Sequence, residues 1–281
     1  MRKVRRWCGT ACPWVAIGLL WAGPPALTAK AADVLVGVNV AESQQVPLAQ
    51  IDHSGWDALL RRYVDQTGMV GYRRWEASAA DVQQLDDYLA HLSTTSGHGT
   101  LAQQLAFWIN AYNAVTIKGI LREYPTTSIR NHTARVFGYN IWKDLKLLVG
   151  GHPYSLDQIE HQILRKRGEP RIHFAIVCAS IGCPRLLAEA YLPERLEEQL
   201  ATNTRAFFAD PEKFRADVSQ RQLSVSPILK WFAEDFGEDE ASRLRWMAPW
   251  LPDESARQLA RSGQARLSYL DYDWGLNDQR P

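Results

Sequence analysis

The chain has 281 residues, which is long enough to bury a sizeable hydrophobic core as one large domain or two small ones. Its 32 Lys and Arg residues nearly balance its 31 Asp and Glu residues, so the formal net charge is +1. This balance gives no electrostatic reason to expect a nucleic acid or another acidic polymer as a partner. The 11 tryptophans and 10 tyrosines suit a well-packed globule or a groove with stacking surfaces.

The first 31 residues have the features of a secretory signal peptide. Basic side chains crowd positions 2 to 6, and an apolar run follows at residues 14–22. Ala29-Lys30-Ala31 fits an A-x-A cleavage site. The apolar run is too short to span a bilayer of about 30 Å, so we interpret it as a cleaved signal and not as an uncleaved anchor. We therefore expect a periplasmic or extracellular protein that meets the membrane only through its transient signal peptide.

Residues 32–53 lack hydrophobic periodicity and are predicted to form a flexible leader. Residues 54–281 contain no internal repeat, long linker or low-complexity tract, which predicts one globular domain. Helical spacing of apolar residues is present at 81–92, and a shorter helix is predicted at 56–64. The fold class we predict is α+β, with a mostly helical domain, a buried central helix and a small, mainly antiparallel sheet.

The clearest helix prediction covers "TLAQQLAFWINAYNAVTIKGILREYP", where Thr100 can cap the start and Pro125 ends the helix. The segment is apolar nearly all the way round, which is typical of a helix buried at the centre of a domain. Gln103, Asn110 and Asn113 are exceptions that lie near one another at helical spacing. An unpaired buried amide costs about 1 to 3 kcal/mol. These amides therefore either form a polar network that fixes core packing, or orient a catalytic group or hold substrate.

The stretch "LKLLVGGHPYSL" at 145–156 is predicted to be a hairpin that turns at two adjacent glycines. A capping box follows, with Ser155 as N-cap and Gln158 at the third helical position. Glu160 falls within the apolar stripe of this helix, where a carboxylate must be paired or protonated because an isolated buried charge is very costly. An ion pair with an arginine is one interpretation. His161 lies about 100° further round the helix and faces its flank.

The stretch "HFAIVCASIGCP" at 173–184 contains a histidine and two cysteines. Residues 171–178 are apolar on both faces, which predicts a central strand. Period two would then place His173 and Cys178 on opposite faces. A base–nucleophile pair would consequently need Cys183, or His161 from its own helix.

Cys183 precedes Pro184, which can occupy the first position of a helix. As the N-cap of such a helix, Cys183 would have a lowered thiol pKa. The alternative is a Cys178–Cys183 disulfide, for which Gly182 allows the necessary reversal. Disulfides persist outside the cytoplasm, and cleavage of the signal would leave only these two cysteines.

Other site types have no support in the sequence. The spacing C-x4-C lacks a second pair of zinc ligands, and no G-x-S-x-G, G-x-x-x-x-G-K or G-x-G-x-x-G motif is present. We therefore predict no metal and no cofactor. Beyond residue 184, helices are predicted at 193–208, 227–236, 240–250 and 254–261, with short β-like pieces at 222–225 and 265–274.

The chain resembles the domain of unknown function 547 family. The matching segments are "FWINAYNA" at 107–114, "SLDQIEHQILR" at 155–165, "HFAIVCASIGCP" at 173–184, "SPILKWFAEDF" at 226–236 and "YDWGLND" at 272–278. The family's motif positions in this sequence are Asn110, Asn113, Glu160, His161, His173, Cys178, Ser180 and Cys183. The resemblance implies a shared fold unit and assigns no reaction. A more distant similarity is to papain-like and transglutaminase-like thiol enzymes, although here the central helix carries asparagines where those enzymes carry cysteine.

The predicted function is that of an exported thiol-dependent hydrolase or transferase acting on an amide or peptide-like substrate. Cys183 would be the nucleophile, His161 the base, and Glu160 or Asn110 the orienting group. The next candidates are Cys178 for nucleophile and His173 for base, with Asn113 and Ser180 as substrate-binding residues. The alternative is a non-catalytic exported binding or scaffold module with a structural Cys178–Cys183 disulfide. Redox sensing through the cysteine pair is a third interpretation. No feature of the sequence indicates an oligomeric state.

Overall fold

A computed structural model of the chain describes residues 33–134 and 139–279. The predicted signal peptide at 1–31 lies outside these residues. Within the described ranges, no helix combines the length and the apolar character that crossing a membrane requires.

The described residues form both helices and short strands, which confirms the predicted α+β class. The helices are α1 Ser54–Tyr63, α2 Tyr72–Glu76, α3 Ala79–Leu92, α4 Leu101–Glu123, α5 Ile141–Asp144, α6 Leu156–Gln158, α7 Leu196–Ala209, α8 Ile228–Trp231, α9 Ala233–Phe236, α10 Glu240–Met247 and α11 Glu254–Arg261. The strands are β1 Val34–Val36, β2 Leu145–Val149, β3 His152–Ser155, β4 Phe214–Asp217, β5 Gln222–Val225 and β6 Arg266–Tyr269. A π-helical segment, Ile159–Leu164, continues α6.

The strands form two three-stranded mixed sheets, where one small sheet was predicted. In the first, β2 pairs antiparallel with β3 and parallel with β1. In the second, β5 pairs antiparallel with β4 and parallel with β6. Each sheet is therefore a local hairpin extended by a strand that is distant in sequence. The predicted hairpin at 145–156 is confirmed, and both Gly150 (φ +58°) and Gly151 (φ +81°) adopt the left-handed conformation that glycine accepts without a steric penalty.

Helix α4 is the buried central helix that the sequence predicts. Thr100 accepts from the backbone amide of Gln103, and the Gln103 side chain accepts from the backbone amide of Thr100. This reciprocal capping box satisfies donors that the first helical turn leaves unpaired. From Leu105 onward almost every residue of α4 is buried, so the helix is the axis of the larger hydrophobic cluster.

A second hydrophobic cluster packs beside the first. It is built around Phe174, α7, the second sheet and the helices α8 to α11. Tyr272 is the partly buried side chain that packs against both clusters. The candidate site lies at this junction, as the next subsection describes.

Residues 33–53, the described part of the predicted flexible leader, pack against the rest of the domain. Val34–Val36 forms β1, which pairs with β2. Leu48 and Ile51 are 5% and 8% exposed and belong to the core. The segment lacks periodicity because it buries isolated apolar residues from short turns, and such burial leaves no repeating pattern in the sequence.

The predicted central strand at 171–178 is wrong. Pro170–Phe174 is a 3-10 helix, and the following residues are irregular. In a sheet, a neighbouring strand would form hydrogen bonds with the backbone of this buried segment. Here the side-chain amide of Asn113, on α4, forms them instead. Asn113 Nδ2 donates to the carbonyl oxygen of Ala175 at 3.0 Å, and the amide of Val177 donates to Asn113 Oδ1 at 2.9 Å. A side chain thus supplies the hydrogen bonds that buried main-chain groups require.

The predicted helix start at Pro184 is also wrong. The chain from 183 to 195 contains no helix, and α7 begins only at Leu196. Cys183 is therefore not the N-cap of a helix. The long non-helical stretch is held instead by Asn110, whose amide nitrogen donates to the carbonyl of Tyr191 at 2.8 Å while its oxygen accepts from the amide of Tyr191 at 2.9 Å.

Candidate active site

The turn between Cys178 and Cys183 is held against the C-terminal segment. The backbone amide of Gly182 donates to the carbonyl oxygen of Asp273 at 2.8 Å, and the amide of Ile181 donates to that of Gly275 at 2.8 Å. A Cβ atom on Gly182 would lie 2.9 Å from the Asp273 oxygen, so glycine is required by this close approach. The predicted role of Gly182 in reversing the chain agrees with this geometry, and it brings the C-terminal segment to the cysteines.

Three hydrogen-bond donors converge on the sulfur of Cys183. The backbone amide of Cys178 lies 3.0 Å from it, the hydroxyl of Tyr272 3.1 Å and the hydroxyl of Ser180 3.4 Å. Cys183 is only 5% exposed, and this burial raises its pKa. Hydrogen bonding from the side chains of Cys178, Ser180 and Tyr272 acts in the opposite direction and outweighs burial, so the pKa of Cys183 is lowered to about 6. Donors that favour a charged acceptor lower its pKa in this way.

Cys178 has the opposite tendency. Its sulfur lies 3.1 Å from the Ser180 hydroxyl and 3.3 Å from the Tyr272 hydroxyl, so the same two hydroxyls contact both sulfurs. Its interaction with Cys183, followed by burial, raises the pKa of Cys178 well above the usual thiol value. Both cysteines are free thiols in the structure. The two shifts have opposite directions, so Cys183 is the cysteine of the pair that ionises first.

Glu160 projects from the π-helical segment that continues α6. Such widened turns often occur at functional sites. The hydroxyl of Tyr112 donates to Glu160 Oε2 at 3.2 Å. Burial, the largest effect, raises the pKa of Glu160 to about 7, against the lowering effect of the Tyr112 hydrogen bond. Among the residues of 33–134 and 139–279, Glu160 forms no ion pair. The sequence left two alternatives for Glu160, an ion pair or protonation. The raised pKa favours partial protonation of Glu160 near neutral pH.

His173 is buried and bonded to a carboxylate. Its Nε2 lies 2.6 Å from Asp235 Oδ2, and its ring stacks on Phe232 with centroids 4.0 Å apart. The guanidinium of Arg165 donates to both oxygens of Asp235, at 2.6 and 2.9 Å. Burial lowers the pKa of His173 despite the carboxylate partner, so the imidazole is neutral at pH 7. The pKa of Asp235 lies well below its usual range, because bonds from His173 and Arg165 outweigh the effect of burial.

A cavity of about 150 Å³ joins these groups. Its wall is mostly aromatic and aliphatic, while its polar lining groups are two thiols, one carboxyl, one imidazole and phenols. The lining residues are Tyr112, Trp142, Glu160, His173, Ile176, Cys178, Cys183, Pro184, Ile228, Trp231, Phe232, Tyr272 and Trp274. His173 and Cys178 line the same cavity. The expectation that they face opposite ways was wrong, because it depended on a strand that the structure does not contain.

The comparisons with known proteins agree with the resemblance seen in the sequence. The model of a family described as "Protein of unknown function, DUF547" matches residues 99–208. The match covers less than half of the 281 residues. No curated protein and no solved structure has a significant match to the chain.

The DUF547 match contains Glu160, His173 and both site cysteines. Tyr272 and Asp235, which bond to Cys183 and His173, lie C-terminal to it. Sequence reasoning missed both residues as site members. The signal that was available is their position in the segments "YDWGLND" and "SPILKWFAEDF", to which no residue roles were assigned.

Three predicted site residues lie away from the cavity. His161 has a side chain that is 41% exposed, and its Nδ1 lies 3.2 Å from Arg165 Nη1. Asn110 is buried, and its amide holds the main chain of Tyr191. Asn113 likewise holds backbone at 175 and 177, and neither asparagine lines the cavity. The network interpretation of these amides therefore agrees with the structure, and the pairing of His161 with Cys183 does not.

Ser180 is the remaining predicted residue, and it lies beneath the two sulfurs instead of in open space where substrate would bind. Within the described ranges, no histidine forms a hydrogen bond with either sulfur. The position beside the thiols that a catalytic histidine would take is occupied by the Ser180 and Tyr272 hydroxyls. In the same ranges, no group of three His, Cys, Asp or Glu side chains is arranged to hold a metal ion.

Proposed function

We propose that the protein is a thiol-dependent hydrolase or transferase that acts on an amide or peptide-like substrate, with Cys183 as the nucleophile. The observation that carries the proposal is the convergence of three hydrogen-bond donors on Cys183 Sγ, in a cavity that also contains Glu160. A thiolate is the reactive form of cysteine, and these donors favour it at neutral pH.

In the proposed reaction, the Cys183 thiolate attacks the carbonyl carbon and forms a tetrahedral oxyanion. The sulfur loses its negative charge as the S–C bond forms. The hydroxyl proton of Tyr272, which lines the cavity, is then free to stabilise charge on the oxyanion, the group at which negative charge develops. Collapse of the intermediate breaks the C–N bond and leaves a thioester on Cys183.

The departing amine needs a proton, and Glu160 is the group we assign to supply it. A carboxyl with a pKa of about 7 is present in both protonation states near neutral pH, which suits a general acid that later becomes a base. In the second half of the reaction, the Glu160 carboxylate would accept a proton from the attacking water, in a hydrolase, or amine, in a transferase. The new C–O or C–N bond forms as the C–S bond breaks, which releases the product and restores the Cys183 thiolate. This assignment replaces the predicted role of His161, which lies outside the cavity. His173 is the next candidate for the base because it lines the same cavity.

We further propose that the protein acts outside the cytoplasm. This part depends on residues 1–31, whose basic start, short apolar run and A-x-A sequence are typical of a secretory signal. Fractionation of cells that express the full-length chain, with N-terminal sequencing of the mature form, tests it. An N-terminus at or near residue 32 is the expected result, and an intact N-terminus in the cytoplasmic fraction would refute export.

The thiol chemistry is tested by the pH dependence of iodoacetamide labelling in full-length protein, with the labelled peptide identified by mass spectrometry. In the parent protein, we expect Cys183 to label with a midpoint near pH 6. In the same protein, Cys178 should label only above the ordinary thiol range. Midpoints near 8.5 for both cysteines, the ordinary value for a thiol, would remove the basis of the proposal.

A second candidate function is the non-catalytic scaffold with a Cys178–Cys183 bridge. The observation in its favour is that both sulfurs contact the same two hydroxyls, at 3.1 to 3.4 Å, while no histidine among the described residues bonds to either. Titration of thiols in unfolded mature protein, with and without reductant, separates the two candidates. Two thiols without reductant support the enzyme, and two that appear only after reduction support the scaffold.

A further inference from the structure

The wall of the site cavity is dominated by aromatic rings. Six of its lining residues are Tyr, Trp or Phe: Tyr112, Trp142, Trp231, Phe232, Tyr272 and Trp274. At the rim, Trp231 and Trp274 stack with centroids 5.8 Å apart, and Trp231 is 47% exposed. Aromatic rings present electron-rich faces, which attract apolar groups and cations alike. The wall therefore narrows the ligand to one of these two chemical classes.

The charged groups that line the cavity favour a cationic ligand over an apolar one. The lining residues that can carry charge near neutral pH are Glu160 and Cys183, and both become anionic when they ionise. Among the lining residues within 33–134 and 139–279 there is neither lysine nor arginine, and the buried imidazole of His173 is neutral. A purely apolar ligand would leave these anionic groups without a counter-charge, which is costly at a buried site. A cation would pair them.

The same rings already attract cations from outside the cavity. The guanidinium carbon of Arg165 lies 5.4 Å from the Phe232 ring centroid, and that of Arg130 lies 5.1 Å from the Trp274 ring centroid. The charge of Arg165 is neutralised by its bonds to Glu234 and Asp235. These contacts show that rings of the wall are placed to interact with positive charge.

From the aromatic wall and the anionic groups beneath it, we infer that the cavity binds an alkylammonium group of the substrate, in its primary or methylated form. The inference rests on the proposed function, since it assigns the chemical class of the group next to the bond that Cys183 attacks. A cavity of about 150 Å³ admits a group of roughly benzene or trimethylammonium size. The rest of the substrate would lie outside, against the exposed side chains of Trp231 and Ile181.

The experiment compares three methanethiosulfonate reagents that differ in charge. Each transfers its thioalkyl group to a thiolate, so that a disulfide to the protein sulfur forms, the S–SO₂ bond breaks and methanesulfinate leaves. The reagents carry 2-(trimethylammonium)ethyl, its neutral isostere 3,3-dimethylbutyl, and the anionic 2-sulfonatoethyl. Rates at Cys183 are measured at pH 7 in the full-length Cys178→Ser variant by peptide mass spectrometry, and each is divided by the rate of N-acetylcysteine amide.

We expect the normalised rate of the trimethylammonium reagent to exceed that of the neutral isostere by about tenfold, and the sulfonate to be slowest. Trp231→Leu and Trp274→Leu should reduce the tenfold ratio severalfold without slowing the neutral reagent as much. Glu160→Gln should reduce it too. The control is Tyr269→Leu, because Tyr269 is 40% exposed and is not a lining residue.

The outcomes separate the two proposals. A cation-to-isostere ratio equal to that of the small thiol, with fast reaction of the neutral reagent at pH 7, overturns the alkylammonium inference and leaves the thiolate nucleophile in place. Slow reaction with every reagent, with a midpoint near 8.5, overturns the proposed function and the inference together. A ratio that is high in the parent protein but unchanged in both tryptophan variants and in Glu160→Gln also overturns the inference, because the preference would then arise elsewhere.

Discussion

The hydroxyl of Tyr272 lies 3.1 Å from the sulfur of Cys183, although 89 positions separate the two residues in the chain. The same oxygen is 2.9 Å from Ser180 Oγ and 3.3 Å from Cys178 Sγ. The C-terminal segment therefore completes the thiol site. Burial raises the pKa of Tyr272 well above the usual value for a phenol, so its hydroxyl stays protonated and can serve as a hydrogen-bond donor.

Tyr272→Phe removes one of the three donors to Cys183 without removing the ring. Hydrogen bonds to charged groups contribute about 1.5 to 3 kcal/mol, so we expect the pKa of Cys183 to rise by about 1 to 2. Iodoacetamide labelling against pH measures it, with Tyr269→Phe as the matched control on an exposed tyrosine. An unchanged midpoint would show that this phenol does not stabilise the thiolate.

Glu160 makes the free energy of unfolding depend on pH. Its pKa is about 7 in the folded protein, against an ordinary value of 4.5, so between these pH values the folded state binds more protons than the unfolded state. Stability should then fall as pH rises from about 4.5 to 7 and stay level for this group above that. The full effect amounts to about 3 kcal/mol as an upper value, since each unit of pKa is about 1.4 kcal/mol.

Glu160→Gln isolates this contribution. The variant cannot ionise, so we expect it to gain stability relative to the parent protein as pH rises from 5 to 8, by about 1 to 3 kcal/mol. Urea unfolding at four pH values measures the difference, and the ionisation of Cys183 is present in both proteins. A difference that does not vary with pH would mean that Glu160 is not protonated in the folded state.

Asn113→Ala should destabilise the protein because its amide pairs two buried backbone groups. Leaving the carbonyl of Ala175 and the amide of Val177 unpaired should cost roughly 2 to 4 kcal/mol in total. Gln83→Ala is the control, since Gln83 is an exposed helical amide that bonds only to Asp87. Urea unfolding distinguishes the two, and a loss below about 0.5 kcal/mol for Asn113→Ala would contradict this account.

Asp235→Asn should lower the pKa of His173 further. Burial already lowers that pKa, and the Asp235 carboxylate partly opposes the effect. Its loss should also reduce stability by about 1.5 to 3 kcal/mol, because charge-assisted bonds to His173 and Arg165 disappear. NMR titration of the imidazole measures the pKa. Glu234→Gln is the control, since Glu234 pairs with the same arginine but is 78% exposed. Equal titration in both variants would contradict the role of Asp235.

Several features followed from the sequence because they depend on contacts within a few residues. The capping box of Thr100 and Gln103 closes inside one helical turn, and the box of Ser155 and Gln158 does the same. The glycine pair of the hairpin needs only its own backbone freedom. Spacing and residue type are enough for such features, and all of them are confirmed. The burial of α4 followed equally directly from its apolar circumference.

The site residues show where local pattern stops being informative. Residues 171–178 have the composition of a strand, yet the chain there is a 3-10 helix and an irregular segment. An apolar run indicates that the segment is buried, but it does not indicate which groups form hydrogen bonds with the backbone of that segment. Here the partner is Asn113, 62 to 64 positions away. The conformation could not be read without knowing that contact.

The sequence by itself determined which chemical groups are available: two thiols, a carboxyl within an apolar stripe, and imidazoles. Only the tertiary structure decided which of them meet. It brought Glu160, His173, Cys178 and Cys183 to one cavity, left His161 outside, and added Tyr272 and Asp235. The physical reason is that a pKa depends on burial and on donors within about 3 Å. Those neighbours come from distant parts of the chain, so their effect exists only after the two hydrophobic clusters have packed together.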